Sequence, residues 1–231
     1  AWVDYVKKGS TEALFYDNTY FKEILLTEPH QANTDYRDAF VGEVQMEVRR
    51  AASYMEPQVC LFQMQRPLAK YDFIATDIKE FVAKQRQFKI DEMVAVRGDA
   101  VDTSKVQVRL EDYRVEFNYA GYMPSAFNLH SNRPNDAKLG VKFNSNIDFI
   151  GNNEGLLGFD YVFVNGQEST VSVAVYVYDE RGVMVASTNA ITVPLVRSKL
   201  TTIRAEFLTS EATGGVGIQS AFDGEFNYEV K

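Results

Sequence analysis

Apolar and polar residues alternate with a period of two through most of the chain. Val171, Val173, Val175 and Val177 hold the odd positions of 171–178, and Ile203, Ala205 and Phe207 alternate with Arg204 and Glu206. Val44, Met46 and Val48 repeat the pattern around Gln45 and Glu47. In the last segment Phe226, Tyr228 and Val230 share one face, while Glu225, Asn227, Glu229 and Lys231 share the other. Successive side chains of a strand point to opposite faces, so this pattern predicts antiparallel sheets with one wet side.

The turn residues fit such strands. Asn165-Gly166 lies between Phe159–Val164 and Ser169–Tyr178, and this pair tolerates positive φ, which predicts a hairpin. Asp179-Glu180-Arg181-Gly182 predicts a second hairpin, giving a meander over 158–187. In Val106–Phe117 the apolar set slips from even to odd positions at Glu111-Asp112, which predicts a turn or bulge. One helix is expected. Asp77-Ile78-Lys79-Glu80 resembles a capping box, and Ile78, Phe81, Val82 and Phe88 form a stripe, so a short capping helix is placed near residues 78–88, after a strand at Leu68–Ala75. Residues 19–26 fit helix or strand equally.

The polar stretch 128–140, with Pro134, lies between apolar strand blocks and reads as a domain boundary. It divides the chain into an N-terminal sandwich over 1–134 and a C-terminal sandwich over 135–231, each with about six or seven strands. A single large sandwich with long insertions is the alternative.

Composition narrows the function classes. The 231 residues are 45% hydrophobic, enough for one large or two small packed domains. The net charge of −8 has the wrong sign for binding through nucleic-acid phosphates or anionic lipid headgroups. It is spread over both halves, so neither is a basic arm. No run of about 18 apolar residues is present to span a membrane. Cys60 is alone, which leaves no intramolecular disulfide and no cysteine-based zinc site, and its apolar run Val59–Phe62 predicts a buried, inert thiol. The chain opens at Ala1-Trp2-Val3 without Met or signal region, so an upstream segment, with any lipid anchor, is expected to have been removed.

Candidate chemistry is sparse. Gly214-Gly215-Val216-Gly217 lacks the Lys-Ser/Thr ending of a phosphate loop, and no Gly-x-Ser-x-Gly elbow occurs. His30 and His130 are far apart in polar segments and read as surface side chains. Asp91-Glu92 and Glu111-Asp112 are adjacent carboxylates, which on strands would point apart and so form no acid/base pair. Arg97-Gly98-Asp99 is a tripeptide that recurs by chance. No catalytic, cofactor-binding or metal-ligating set emerges. The stretch Phe117–Asn128 has aromatic rings beside a Gly/Pro turn, and Tyr119, Tyr122 and Phe127 could form a stacking surface for sugars or a partner; the alternative is that these rings fill the core.

Gln65-Arg66-Pro67-Leu68-Ala69-Lys70 and the residues through Asp77 resemble the Arg-x-x-Ala-Lys strand of the fimbrillin-like proteins of Bacteroidales. Asp35–Gly42, Gly121–Asn128, Leu157–Asn165 and Val193–Thr202 are similar to the same group's surface lipoproteins, so the likeness spans most of the chain. The resemblance implies two transthyretin-like β-sandwich domains, export as a lipoprotein, and a place at the outer-membrane surface in a fimbrium or its anchor. It implies adhesion, pilus assembly with other fimbrial subunits by strand exchange, and contact with a host or bacterial surface protein or glycan. It carries no catalytic residues and no cofactor.

Strand exchange would use an edge strand. The segment carrying Phe226, Tyr228 and Val230 could donate to a neighbour's groove or close its own sheet. The reading is an all-β, non-enzymatic cell-surface protein, a fimbrial subunit, anchor or adhesin. The alternative is a surface glycan-binding β-sandwich module.

Overall fold

The computed structural model describes residues 1–45, 59–98 and 102–209, together with the backbone of 225–229. Leu68–Ala75 (β5) alternates inward Tyr71, Phe73 and Ala75 with outward Lys70 and Asp72, as its sequence demands. It is the centre of a front sheet. On one side it pairs antiparallel with Glu154–Phe163 (β11), which pairs in turn with Asp148–Gly151 (β10). On the other side it pairs parallel with Leu200–Ala205 (β15), which carries Glu225–Glu229 (β16) on its outer edge.

A back sheet is built on Glu168–Tyr178 (β12). One edge of β12 takes Arg114–Tyr119 (β6) and then Lys142–Asn146 (β9); its other edge is shared by Met184–Ser187 (β13) and Ile191–Val196 (β14). The valines of β12 at 171, 173, 175 and 177 are all buried, as their odd spacing predicts. Front and back sheets close on one aromatic core. Phe73 meets Phe117 edge-on at 5.5 Å, and Phe117 stacks on Phe143 at 4.6 Å.

A third, side sheet joins Tyr16–Asp17 (β2), Ile24–Leu26 (β3), Met123–Asn128 (β7) and Arg133–Lys138 (β8). It meets the front sheet through Phe127 and Phe163, stacked at 5.2 Å. Trp2–Val3 (β1) and Phe40–Val41 (β4) form a short ladder beside it, with Trp2 set edge-on to Tyr16 at 5.3 Å. The architecture is an all-β sandwich with a single helix among the described residues.

That helix, Ile78–Arg97 (α1), is longer than the stripe at 78–88 implied. Its start is also built differently. Asp77 makes no side-chain cap; instead Asn153, in the turn between β10 and β11, accepts the Lys79 N–H through Oδ1 at 2.6 Å and the Ile78 N–H through its carbonyl at 3.2 Å. Glu80 accepts from Asn153 Nδ2 rather than reaching back to the cap. The capping groups come from a distant strand turn, which local spacing does not reveal. No helix of the described residues is long and apolar enough to cross a membrane.

Three further expectations change. The polar stretch at 128–140 is the β7–β8 hairpin, with Phe127 opposite Pro134, so the line between 134 and 135 falls inside β8. Strands from both sides of that line share the front and back sheets: β5 with β11 and β15, β6 with β12. The Asn165-Gly166 turn is not a hairpin either, because β11 belongs to the front sheet and β12 to the back one; the turn carries the chain across the sandwich. The Asp179–Gly182 hairpin is present, with Gly182 at φ 77°. Finally, Val59–Phe62 forms no strand, and Val59 and Leu61 are exposed with Cys60 half-buried between them. Met46 and Val48, Asp99, and the 214–217 glycine cluster lie outside the described residues.

Candidate functional site

The edge of the front sheet is where the chain's end meets its body. β15 is held on one side by β5, in parallel from Leu200 opposite Lys70 to Ala205 opposite Ala75. Along β15, Thr201 and Ile203 are buried, and the Thr201 hydroxyl donates to the Pro194 carbonyl at 2.8 Å, which ties β15 to β14. The outer edge of β15 takes β16, again in parallel, from Leu200 opposite Glu225 to Arg204 opposite Glu229. Among the described residues β15 is the only strand that β16 pairs with.

Parallel pairing matters here. Antiparallel neighbours can be joined by a two-residue turn that fixes their register, whereas parallel neighbours need a long crossover that does not. The register of β16 is therefore set by its backbone bonds to β15, not by the link between Ala205 and Glu225. Phe226 stands opposite Thr201 and Tyr228 opposite Ile203 in that register, and Val230 lies outside the described residues. The segment singled out as a candidate donor strand is thus the one that completes this edge.

The link leaves from a fixed point. Asp77 Oδ2 accepts the Leu208 N–H at 3.0 Å and the Thr209 N–H and hydroxyl at 2.7 Å each. Burial pushes the Asp77 carboxyl up from its ordinary value against these donors.

The aromatic surface expected at Tyr119, Tyr122 and Phe127 is not assembled. Tyr119 and Phe127 point into the core, at 2% and 0% exposure, and only Tyr122, in the β6–β7 turn, is exposed. The alternation of β6 and β7 buries Tyr119 and Phe127 against the front and side sheets. These two rings are packing groups, which is the other reading their strand context allowed.

A family model described as a family of unknown function, DUF6562, matches residues 1–231. The chain belongs to the DUF6562 family. No curated protein matches it. A solved structure described as a "putative adhesin" from Bacteroides ovatus is similar at 13% identity with a TM-score of 0.34, over 74% of this chain and 47% of that one. The chain therefore spans about half the length of that structure.

The DUF6562 chain also holds a buried polar cluster that sequence reasoning missed. Asp160, fully buried on β11, has Arg37 Nη1 at 2.9 Å, His30 Nε2 at 2.7 Å and the Tyr119 hydroxyl donating at 2.7 Å. The Tyr71 hydroxyl donates to Tyr119 at 2.9 Å, and Tyr16 donates to the Arg37 carbonyl at 2.5 Å. Burial alone would raise the Asp160 carboxyl, but Arg37, His30 and Tyr119 together hold it below its ordinary value. Burial and the Asp160 charge push the Tyr119 hydroxyl well up.

This cluster corrects the placement of His30, whose side chain is 8% exposed rather than on the surface; His130 is exposed as expected. Acid, imidazole and phenol lie within bonding distance, yet every group is turned on another protein group inside the sandwich. What the arrangement does is lock the 30–37 segment onto β11 and β6. The available signal was Asp160 itself, a lone carboxylate in the apolar run Leu156–Val164, since an acid on such a strand needs an internal partner. Among the described residues no three His, Cys, Asp or Glu side chains gather as a metal site.

Proposed function

We propose that the chain is a non-enzymatic, surface-exposed adhesive subunit whose C-terminal strand can be exchanged between copies. The observation that carries this reading is the parallel β15–β16 edge. Among the described residues β16 pairs with β15 alone, and it is held by contacts that a second copy's β16 can make equally well, because a parallel pair is not joined by a tight turn. The fimbrillin-like pattern at Arg66–Lys70 and Val193–Thr202 supports the same assignment, since these segments build β5, β14 and β15, the strands around that edge. In this reading the protein serves a fimbrium or its anchor at the outer-membrane surface, held there by a lipid upstream of Ala1.

Mixing the full chain with a chain ending at Thr209 tests it. The full chain alone is expected to form head-to-tail multimers at high concentration, and the shortened chain, which has an acceptor edge and no donor, to cap them at low copy number. If the full chain stays monomeric throughout and the shortened chain never associates with it, strand exchange is wrong.

A further inference from the structure

The buried Asp160 cluster carries an exposed face. Arg37, fixed on Asp160, is the inner residue of a short 3₁₀ turn, Asp35–Arg37, and the two residues before it are turned to solvent. Tyr36 is 62% exposed, and its ring meets that of Tyr5, itself 47% exposed, edge-on at 5.4 Å. Asp35 Oδ1 accepts from the Lys70 ammonium at 2.7 Å and from the Tyr161 hydroxyl at 2.8 Å. Lys70 Nζ is seated 4.0 Å above the half-buried ring of Phe159. Asn33 keeps the turn beside β11. Its N–H donates to the Phe159 carbonyl at 3.0 Å, and its Oδ1 accepts the Phe159 N–H at 2.8 Å.

Two stacked tyrosines therefore stand next to an ion pair on a base locked from beneath. The Lys70 ammonium holds the Asp35 carboxyl below its ordinary value, so Asp35 is an anionic acceptor at neutral pH. Among the described residues its Oδ2 accepts from no donor, and Lys70 donates only one of its three N–H groups. The pair thus has one acceptor and two donors left for a ligand. Its charges cancel, and Arg66 nearby on the chain is matched in the same way by Asp38 at 2.8 Å, which leaves no net charge to draw a phosphate or an acidic sugar.

We propose that this face binds a neutral glycan, with one sugar ring lying on Tyr36 and Tyr5 and neighbouring hydroxyls bonded to Asp35 Oδ2 and Lys70 Nζ. Exposed aromatic faces suit the C–H surface of a sugar ring, and hydroxyls both donate and accept, as the ion pair requires. A purely apolar ligand would leave the ion pair unsatisfied, and a protein partner would have to strip water from both charges. The inference supplies a ligand for the adhesive role proposed above. It is read on single chains, so its failure leaves strand exchange standing, and a chain that never multimerises leaves the glycan site standing.

A glycan array carrying neutral and acidic chains, probed with the full chain and followed by calorimetry on the strongest neutral hit, tests the proposal. The neutral glycan is expected to bind with Kd of about 1 mM or tighter. Tyr36→Ala and Tyr5→Ala, both at exposed positions, are each expected to weaken it about tenfold, and Asp35→Asn about fivefold or more. Tyr36→Phe keeps the ring and should stay within about twofold of the wild type, as should Tyr122→Ala, which removes an exposed ring elsewhere. An array on which no neutral glycan binds, acidic glycans bound more tightly than neutral ones, or an affinity unchanged by both Tyr36→Ala and Tyr5→Ala would each overturn it.

Discussion

Thr209 is fastened to Asp77 twice, its backbone N–H and its hydroxyl both donating to Oδ2 at 2.7 Å. Because Asp77 precedes the first residue of α1, the point where the chain departs toward β16 is pinned to the helix start. Asp77→Ala removes the acceptor and leaves the Leu208 and Thr209 donors unpaired, which should cost about 1–3 kcal/mol in urea unfolding. Asp77→Asn keeps one oxygen and should cost less. The pH dependence has a definite sign. With the folded-state pKa raised above 3.8, the folded protein holds its proton more tightly, so stability falls as pH rises from 3.8 through the raised value. In Asp77→Asn that limb disappears; unfolding curves measured across the range check it.

Asp160 behaves in the opposite sense. Its carboxyl is depressed below 3.8 in the fold, so its contribution is fully present above 3.8 and is lost as pH falls through the folded-state value. Asp160→Ala leaves the Arg37 charge buried without its partner and should cost about 3–5 kcal/mol by denaturant titration at neutral pH. Other carboxylates, Asp35 and Asp179 among them, are also depressed in the fold, so Asp160→Asn should make the acid-side loss shallower rather than abolish it. An acid limb equally steep in Asp160→Asn and the wild type would contradict this role of Asp160.

Gly158 reports on the close approach of the two sheets. A Cβ there would lie 2.7 Å from Phe117 Cε2 and 2.9 Å from Asn33 Oδ1. Phe117 cannot retreat, since it stacks on Phe143 at 4.6 Å, and Asn33 Oδ1 already accepts the Phe159 N–H at 2.8 Å. Gly158→Ala should therefore destabilise the chain by about 1–3 kcal/mol, read as a lowered melting temperature.

How far the sequence discloses the molecule follows from the range of each signal. The valines of β12 and the alternation in β5 and β15 declare themselves, because a two-residue period depends only on which face is wet. Pairing does not. Asn165-Gly166 marks a reversal correctly, but whether the next strand stays in its sheet depends on which edges β5 and β6 have taken, and those lie about 50–90 residues away in sequence. The 128–140 stretch looks like a linker because β8 is an exposed edge strand with polar side chains, the usual protection of an edge. The site was legible in part. The C-terminal alternation pointed to an edge strand, whereas Asp160, Arg37 and His30 meet only after folding.

Exchange requires that the partner of β15 come from another chain, and cysteine cross-linking at the register pair Thr202–Asn227 tests this. Two full-length variants, Thr202→Cys and Asn227→Cys, each keep the native Cys60 replaced by Ser so that only the designed pair can join; neighbouring parallel strands place paired positions within disulfide range. Mixed at high concentration and oxidised, they are expected to give covalent dimers joining one variant to the other. If the mixture yields no such dimers, while a single chain carrying both cysteines closes its own disulfide, β16 belongs permanently to its own sheet and the exchange reading is contradicted.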